Sequence, residues 1–438
     1  MQPVDPNLAV RRIATATNTS SPSSRHSTSP PPRSRRNSIS RRRTSLEHCS
    51  EILQQVPASQ DGALLQEAAS RDVLPQHEAA SKNVADWPQH SLTEIERMVA
   101  CLFSNNLDTT TFSSDDLCGL TLEIFRAAGL PDLLAQDERR VQRLILGARD
   151  RMWTQNAYHS WAHVVDMTAA ASDIATRTGA MARFSPWERF ALLSSALLHD
   201  LDHPGVSNIE NAEKLDKVSQ AGLQYRSMRT ASTEGLEGCP TLEDHHLRCA
   251  LSLLEDGGVG MMAGMTSVEC DDLRHSIAAN ILATDLKRHF AYTAQAHTMA
   301  EAAGGNHPGG CPGPEVSRPS PEVSHQLEME LIMKSADLSN CAKPFPVAAR
   351  WALRVTDEFY AEGDALSRLG LAVARTHDRR VTSRAAVQRS FIDALALPWF
   401  DGMANMFPAL AGLADGVRGN RAVWEGMGDA RLEAMRDW

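Results

Sequence analysis

The stretch ALLSSALLHDLDHPG, residues 191–205, decides how the chain is to be read. Its first eight residues are apolar or small and belong to an amphipathic helical pattern. They deliver His199 and Asp200 straight into a turn that adds Asp202, His203, Pro204 and Gly205. Four adjacent ionisable groups behind an apolar helix are costly to bury unless something compensates them, and a divalent metal would. Imidazole nitrogen together with carboxylate oxygen suits zinc, manganese or iron; a further oxygen-rich position suits magnesium. A carboxylate has two oxygens, so Asp200 could bridge two ions.

Outward from this stretch the same texture recurs. Apolar residues return every three to four positions in 94–104, 139–152, 161–175, 187–198, 244–254, 268–290, 324–339, 346–362 and 383–396. Nothing comparable alternates with the period of a strand. The expectation is an all-α domain from about residue 84 to 438, a compact multi-helix array. Residues 1–83 lack this periodicity, and Ser20–Ser45 is rich in Ser, Pro and Arg. Such a segment cannot bury enough apolar surface to offset its ordering entropy, so the arm is expected to be disordered. A second Pro/Gly-rich stretch, 304–321, reads as a surface loop between helices.

Charge and composition narrow the function. Residues 1–46 hold nine Arg and one acid, Asp5, for a charge of +8; the other 392 residues carry −18 against a total of −10. An acidic body does not suit nucleic-acid binding, which draws its affinity from phosphate neutralisation. No window reaches the roughly 18 uninterrupted apolar residues of a spanning helix, and Met1 is not followed by a secretory apolar run. The eight cysteines lie ten or more residues apart. That spacing excludes a CxxC ribbon and argues for a reducing compartment. A cytoplasmic location is expected, with organelle targeting by the Arg/Ser-rich arm as the alternative.

Two further segments complete a constellation. In NAYHSWAHVVD (156–166), His159 and His163 are spaced i, i+4, which on a helix puts both imidazoles on one face. In ELIMKSADLSN (330–340), an apolar helical run ends at Asp337. Taken alone, the first could be two ordinary histidines at a helix start and the second a helix cap. Jointly the three segments supply H…HD…D, the donor set of a metal site.

The ordered series YHxxxH (158–163), HDxDHPGxxN (199–208), LATDxxxH (282–289), ADLSN (336–340) and QxxFID (388–393) resembles the catalytic domain of class I cyclic nucleotide phosphodiesterases, within the HD metal-dependent phosphohydrolase superfamily. The resemblance covers about residues 84–438. It implies hydrolysis of a 3′,5′-cyclic nucleotide to the 5′-monophosphate by a hydroxide bridged between two divalent cations, zinc and magnesium, with manganese as an alternative ion. It implies His163, His199, Asp200 and Asp337 as ligands of the tighter ion, with Asp200 also touching the second. His203, Glu243 and Thr284 would hold the waters around that second ion, and His159 would be the general acid. Tyr158, Asn340, Val355, Gln388 and Phe391 would line the nucleotide pocket, Gln388 bonding the purine edge while Phe391 and Val355 clamp the base. Asn340 resembles cAMP-preferring members; a cGMP-preferring or dual-specificity enzyme, or another HD-type nucleotide phosphohydrolase, is the alternative. Three positions depart from the family pattern: Ser160 and Asp244 stand where Asn is usual, and Lys334 where many members carry His.

The chemistry agrees with these roles. Two cations about 3.5–4 Å apart can generate a nucleophile near neutral pH and hold a phosphate in line, and a histidine can protonate the basic leaving alkoxide. In the arm, RRNS and RRTS put Ser38 and Ser45 in patterns that resemble basophilic kinase sites, although a solvated basic tail explains them as well. The expected partners are the cyclic nucleotide and such a kinase; a homodimer with a second copy of the chain is a further alternative that the sequence leaves open. Neither nucleic acid nor a transmembrane segment is expected.

Overall fold

The computed structural model describes residues 87, 92–102, 105–130, 137–208, 241–302 and 324–436. The arm with Ser38 and Ser45, the domain boundary near residue 83 and the loop 304–321 lie outside the described residues. Those described form helices, turns and connecting segments with no strand among them, as the periodicity predicts. None of these helices is long and apolar enough to cross a membrane.

The principal helices are α1 (Leu92–Leu102), α2 (Ser114–Ala127), α3 (Glu138–Arg149), α4 (Trp161–Arg177), α5 (Pro186–Leu198), α6 (Leu242–Glu255), α7 (Ser267–Leu282), α8 (His289–Ala302), α9 (His325–Asp337), α10 (Phe345–Arg368), α11 (Arg384–Phe391), α12 (Leu397–Met406) and α13 (Ala411–Glu425). α5 is the centre. It begins with a capping box, in which the Ser185 hydroxyl accepts from the Glu188 N–H and the Glu188 carboxylate accepts from the Ser185 N–H, and Pro186 sits in its first turn. From Phe190 to Leu198 every residue is buried, as befits a helix covered all round by α4, α7 and α9. Burying Phe190, Leu192, Leu193 and Leu197 contributes about 1.5–3 kcal/mol each. The four packed helices α4, α5, α7 and α9 form the frame from which the H…HD…D side chains project.

Two expected helices are interrupted. The run 268–290 is α7, a break at residues 283–285, a 3₁₀ turn and then α8. The Asp285 backbone leaves the helical region (φ −53°, ψ 121°), and its carboxylate accepts from the Lys287 N–H to start the new turn. The run 383–396 is α11 followed by a π-helical turn, Ile392–Ala396, that joins α12. Such wide turns are marks of functional sites, and Phe391 stands at this junction.

A buried ion pair ties the frame to its surroundings. Lys343 Nζ lies 2.5 Å from Asp166 Oδ1 on α4 and donates to the Leu107 carbonyl at 2.8 Å. Both side chains are only 4% exposed. α13 closes over the same region: the Asn420 amide donates to the carbonyls of Cys341 and Lys343, and a Cβ on Gly416 would stand 2.4 Å from the Ala342 carbonyl oxygen. Glycine is therefore required for that close approach. Lys343→Met leaves Asp166 charged and unpaired in the core. It is expected to cost about 3–5 kcal/mol, read as a lower urea midpoint with an unchanged slope.

Candidate metal centre

The three segments of the constellation converge. His163 comes from the first turn of α4, His199 and Asp200 from the turn after α5, and Asp337 from the end of α9. His163 Nε2 lies 3.3 Å from Asp200 Oδ2 and 3.5 Å from Asp337 Oδ1. His199 Nε2 lies 3.2 and 3.7 Å from the same two oxygens. Both Nε2 atoms are buried without a hydrogen-bond partner. The His199 Nδ1–H faces the Ala196 carbonyl at 2.9 Å, which directs the lone pair of the neutral ring to Nε2 and so toward the carboxylates. Two orphaned imidazole nitrogens facing two carboxylate oxygens across 3.2–3.7 Å are a donor set that a divalent cation fits.

The electrostatics say the same. Burial by itself would lower both imidazoles, yet Asp200 and Asp337 outweigh it and hold His163 up to about 9 and His199 up to about 10. Burial would raise the carboxyls, yet the imidazoles hold Asp200 and Asp337 well below the usual carboxylate range. The pocket calls for positive charge, which a cation competes with protons to supply.

Asp200 faces a second group with its other oxygen. Its donor atoms cluster with those of His203 and His246, and His246 Nε2 lies 3.9 Å from Asp200 Oδ1. The His246 Nδ1–H is taken by the Leu201 carbonyl at 2.9 Å, and burial holds the ring down to about 4, hence neutral with its lone pair on Nε2. The Gly205 N–H donates to His203 Nδ1, so the ring proton of His203 sits on Nε2 as a donor. Burial, then the neighbouring His159, hold His203 well below the ordinary imidazole value. Asp200 thus faces two orphaned imidazoles with one oxygen and the lone pair of His246 with the other, while His203 presents an N–H beside it.

His159 departs from the sequence expectation. It is not one helical turn from His163 on a shared face, because α4 begins only at Trp161 behind an extended Ser160 (φ −133°, ψ 172°). The cause is Glu358 on α10. Its Oε1 accepts the N–H groups of Tyr158 and His159, and its Oε2 lies 2.6 Å from His159 Nδ1. With Nδ1–H committed to Glu358, His159 carries its exchangeable proton on Nε2. Burial acts to lower this imidazole, but Glu358 prevails and holds it raised. The ring stacks on His203 at 3.7 Å between centroids.

The remaining expected residues are distributed as follows. Glu243, on α6, accepts from the Asn208 amide at 3.0 Å, and its carboxyl is raised by burial and then by Asp285. Thr284 is buried in the break after α7, its hydroxyl donating to the Ile281 carbonyl. Tyr158 packs its ring 4.6 Å from that of His163, and its hydroxyl lies 2.5 Å from Asn340 Nδ2. Val355 lies on α10; Gln388 and Phe391, three residues apart on α11, share a face of a helix that packs on α10. The three departures have local uses. Ser160 donates to the Tyr158 carbonyl. Asp244 completes a capping box with Thr241. Lys334 donates to the Ala283 carbonyl at 3.1 Å, and burial holds its amine down to about 8.

Sequence reasoning missed Glu358, assigned no role to His246, and passed over Asn156, whose amide donates to the carbonyls of His159 and His203. A signal for Glu358 was present: it falls in the stripe Trp351, Val355, Glu358, Glu362, at spacings of four, three and four along a helix. An acid on a buried stripe calls for a partner.

Residues 158–417 match the protein family described as 3′5′-cyclic nucleotide phosphodiesterase. The chain is similar to a cGMP-specific 3′,5′-cGMP phosphodiesterase 3 of Dictyostelium discoideum, 25% identical over 332 residues that cover 75% of this chain and 65% of that protein. It is also similar to the 3′,5′-cyclic-AMP phosphodiesterase 4C of Rattus norvegicus, 27% identical over 330 residues covering 73% and 57%. The chain thus spans less than two thirds of either relative. Among solved structures, the phosphodiesterase domain of Salpingoeca rosetta rhodopsin phosphodiesterase shares the fold, with a TM-score of 0.62 at 23% identity over 78% of this chain and 97% of that one.

Proposed function

This chain belongs to the 3′,5′-cyclic nucleotide phosphodiesterase family, and on that premise we propose that it hydrolyses a 3′,5′-cyclic nucleotide, cAMP by preference, to the 5′-monophosphate. The observation that carries the reading is the pair of orphaned Nε2 atoms, on His163 and His199, facing Asp200 and Asp337 beside the His159–Glu358 pair. His163, His199, Asp200 and Asp337 would hold one divalent cation; the outer oxygen of Asp200, with the lone pair of His246 Nε2 facing it, would hold a second. When bound, such a pair of ions offsets the charge of the phosphate and activates water near neutral pH. The N/O donor set of the first position favours zinc, and the carboxylate-led second position favours magnesium or manganese.

The chain's own residues supply the rest. Glu358 fixes the tautomer and direction of His159, so that Nε2–H is available to protonate the leaving O3′. The neutral His203, with its Nε2–H, orients an oxygen acceptor near Asp200. Glu243 and Thr284 are assigned to the waters of the second cation. Gln388 offers a donor and an acceptor to the purine edge, while Phe391 and Val355 take the faces of the base. Asn340 supports the adenine preference. Its amide lies beside the Tyr158 hydroxyl, and an amide oxygen can accept from the exocyclic amine that adenine presents where guanine presents a carbonyl.

The test is a panel: the purified chain with cAMP and cGMP, each with Mg²⁺ or Mn²⁺ and with chelator. Chelator-sensitive turnover with cAMP favoured is the expected result; metal-independent turnover or none with either nucleotide sinks the reading. In the same panel Gln388→Ala is expected to raise KM for cAMP about 10-fold or more, one to two hydrogen bonds' worth, with the cation requirement unchanged. An unaltered KM removes Gln388 from the pocket.

A further inference from the structure

Asp202 lies between Asp200 and His203 in sequence, is buried, and stands outside the two groups of atoms around Asp200; its own carboxylate clusters with His245 Nε2 and Cys249 Sγ. Its backbone has φ +62°, in the left-handed region that side-chain-bearing residues rarely enter. Its carboxylate reaches two distant segments. Oδ1 accepts from the Trp153 indole N–H at 2.8 Å, and Oδ2 lies 3.0 Å from His245 Nε2. Each partner is next to a part of the centre. His245 precedes His246, whose ring faces Asp200. Trp153 lies in the turn that leads to Asn156, whose amide holds the carbonyls of His159 and His203.

We propose that Asp202 is a positioning residue whose carboxylate, bridging Trp153 and His245, holds the 199–203 turn so that Asp200 faces the cation positions, and thereby sets the affinity for divalent cations. This rests on reading the centre as cation-binding. A plainer account competes with it: Asp occupies position 202 only because Asp tolerates a left-handed backbone. The two accounts differ in sign. Glycine adopts φ +62° without steric cost, so a purely conformational role makes Asp202→Gly neutral or stabilising. A bridging role makes the same variant lose cation affinity although its backbone strain is relieved.

The experiment uses the full chain and a readout independent of turnover: the rise in melting temperature as Zn²⁺, Mn²⁺ or Mg²⁺ is titrated into chelator-stripped protein. Asp202→Gly is expected to weaken the cation response about 10- to 100-fold in half-saturating concentration. Asp202→Asn keeps a residue that tolerates the backbone and can accept from Trp153, but presents no charge to His245; a smaller loss is expected. Trp153→Phe, which deletes one donor, is expected to fall in the same direction. Should Asp202→Gly not fold, the other two variants decide. Wild-type cation affinity in Asp202→Gly, or in both other variants, overturns the positioning role and leaves the metal centre standing. A wild-type protein indifferent to all three cations overturns both.

Discussion

Asp200→Ala is expected to lower cation-dependent cAMP turnover by more than about 10²-fold and to abolish stabilisation by added divalent ions. The magnitude follows from its place. Replacing a residue that merely supports a metal ligand costs about 10- to 100-fold, so deleting a direct ligand should exceed that range. Asp200 has a further liability, because its two oxygens face different groups: Oδ2 faces His163 and His199, and Oδ1 faces His246. One substitution therefore removes a donor from both proposed cation positions. It also leaves His163 and His199 beside a single remaining carboxylate, Asp337. The check is a pair of measurements, initial rates across a Mn²⁺ or Mg²⁺ series and the melting temperature across the same series. Turnover within about 10-fold of wild type would be less than the loss of a supporting residue and would remove Asp200 from the centre.

The second large effect belongs to His159. His159→Ala is expected to reduce kcat by about 10²- to 10⁴-fold, the range of a general acid, while the cation-induced rise in melting temperature persists. Persistence is expected because His159 is turned toward Glu358 and is not among the atoms facing Asp337. Glu358→Gln separates the proton from the scaffold. Glu358 outweighs burial to hold the His159 imidazole above its ordinary value, and a residue in the proposed role of general acid works only while protonated. The rate must therefore fall as pH rises through this raised value. Without the carboxylate, burial acts unopposed by its main partner, and the alkaline fall moves to lower pH. A pH–rate profile of Glu358→Gln that coincides with wild type would detach Glu358 from the proton; cation binding lost in His159→Ala would make His159 a ligand instead.

The fold was largely legible because helix formation is decided locally. The apolar spacing at 187–198 names the helix, and the residues that start α5, Ser185 and Pro186 ahead of the run and Glu188 within it, are adjacent to it in sequence. What periodicity could not show is where a helix gives way for a reason outside itself. The i, i+4 spacing of His159 and His163 reads as one helical face, yet a carboxylate 199 residues further on draws Tyr158 and His159 out of the helix. The interruption at residues 283–285 and the π turn after Phe391 were likewise hidden inside continuous apolar runs.

Residue types and their local order were enough to point to an all-helical domain and to four ligand candidates, His163, His199, Asp200 and Asp337. These depend on hydrophobic period and on donor chemistry, which a residue carries wherever it lies. Only the tertiary structure decided which atoms of those residues face one another, that His159 answers to Glu358, and that Asp202 bridges Trp153 and His245. Each of these is a contact of a few ångströms between segments tens to hundreds of residues apart. Its existence depends on how α4, α5, α9 and α10 pack, and no local pattern records that packing.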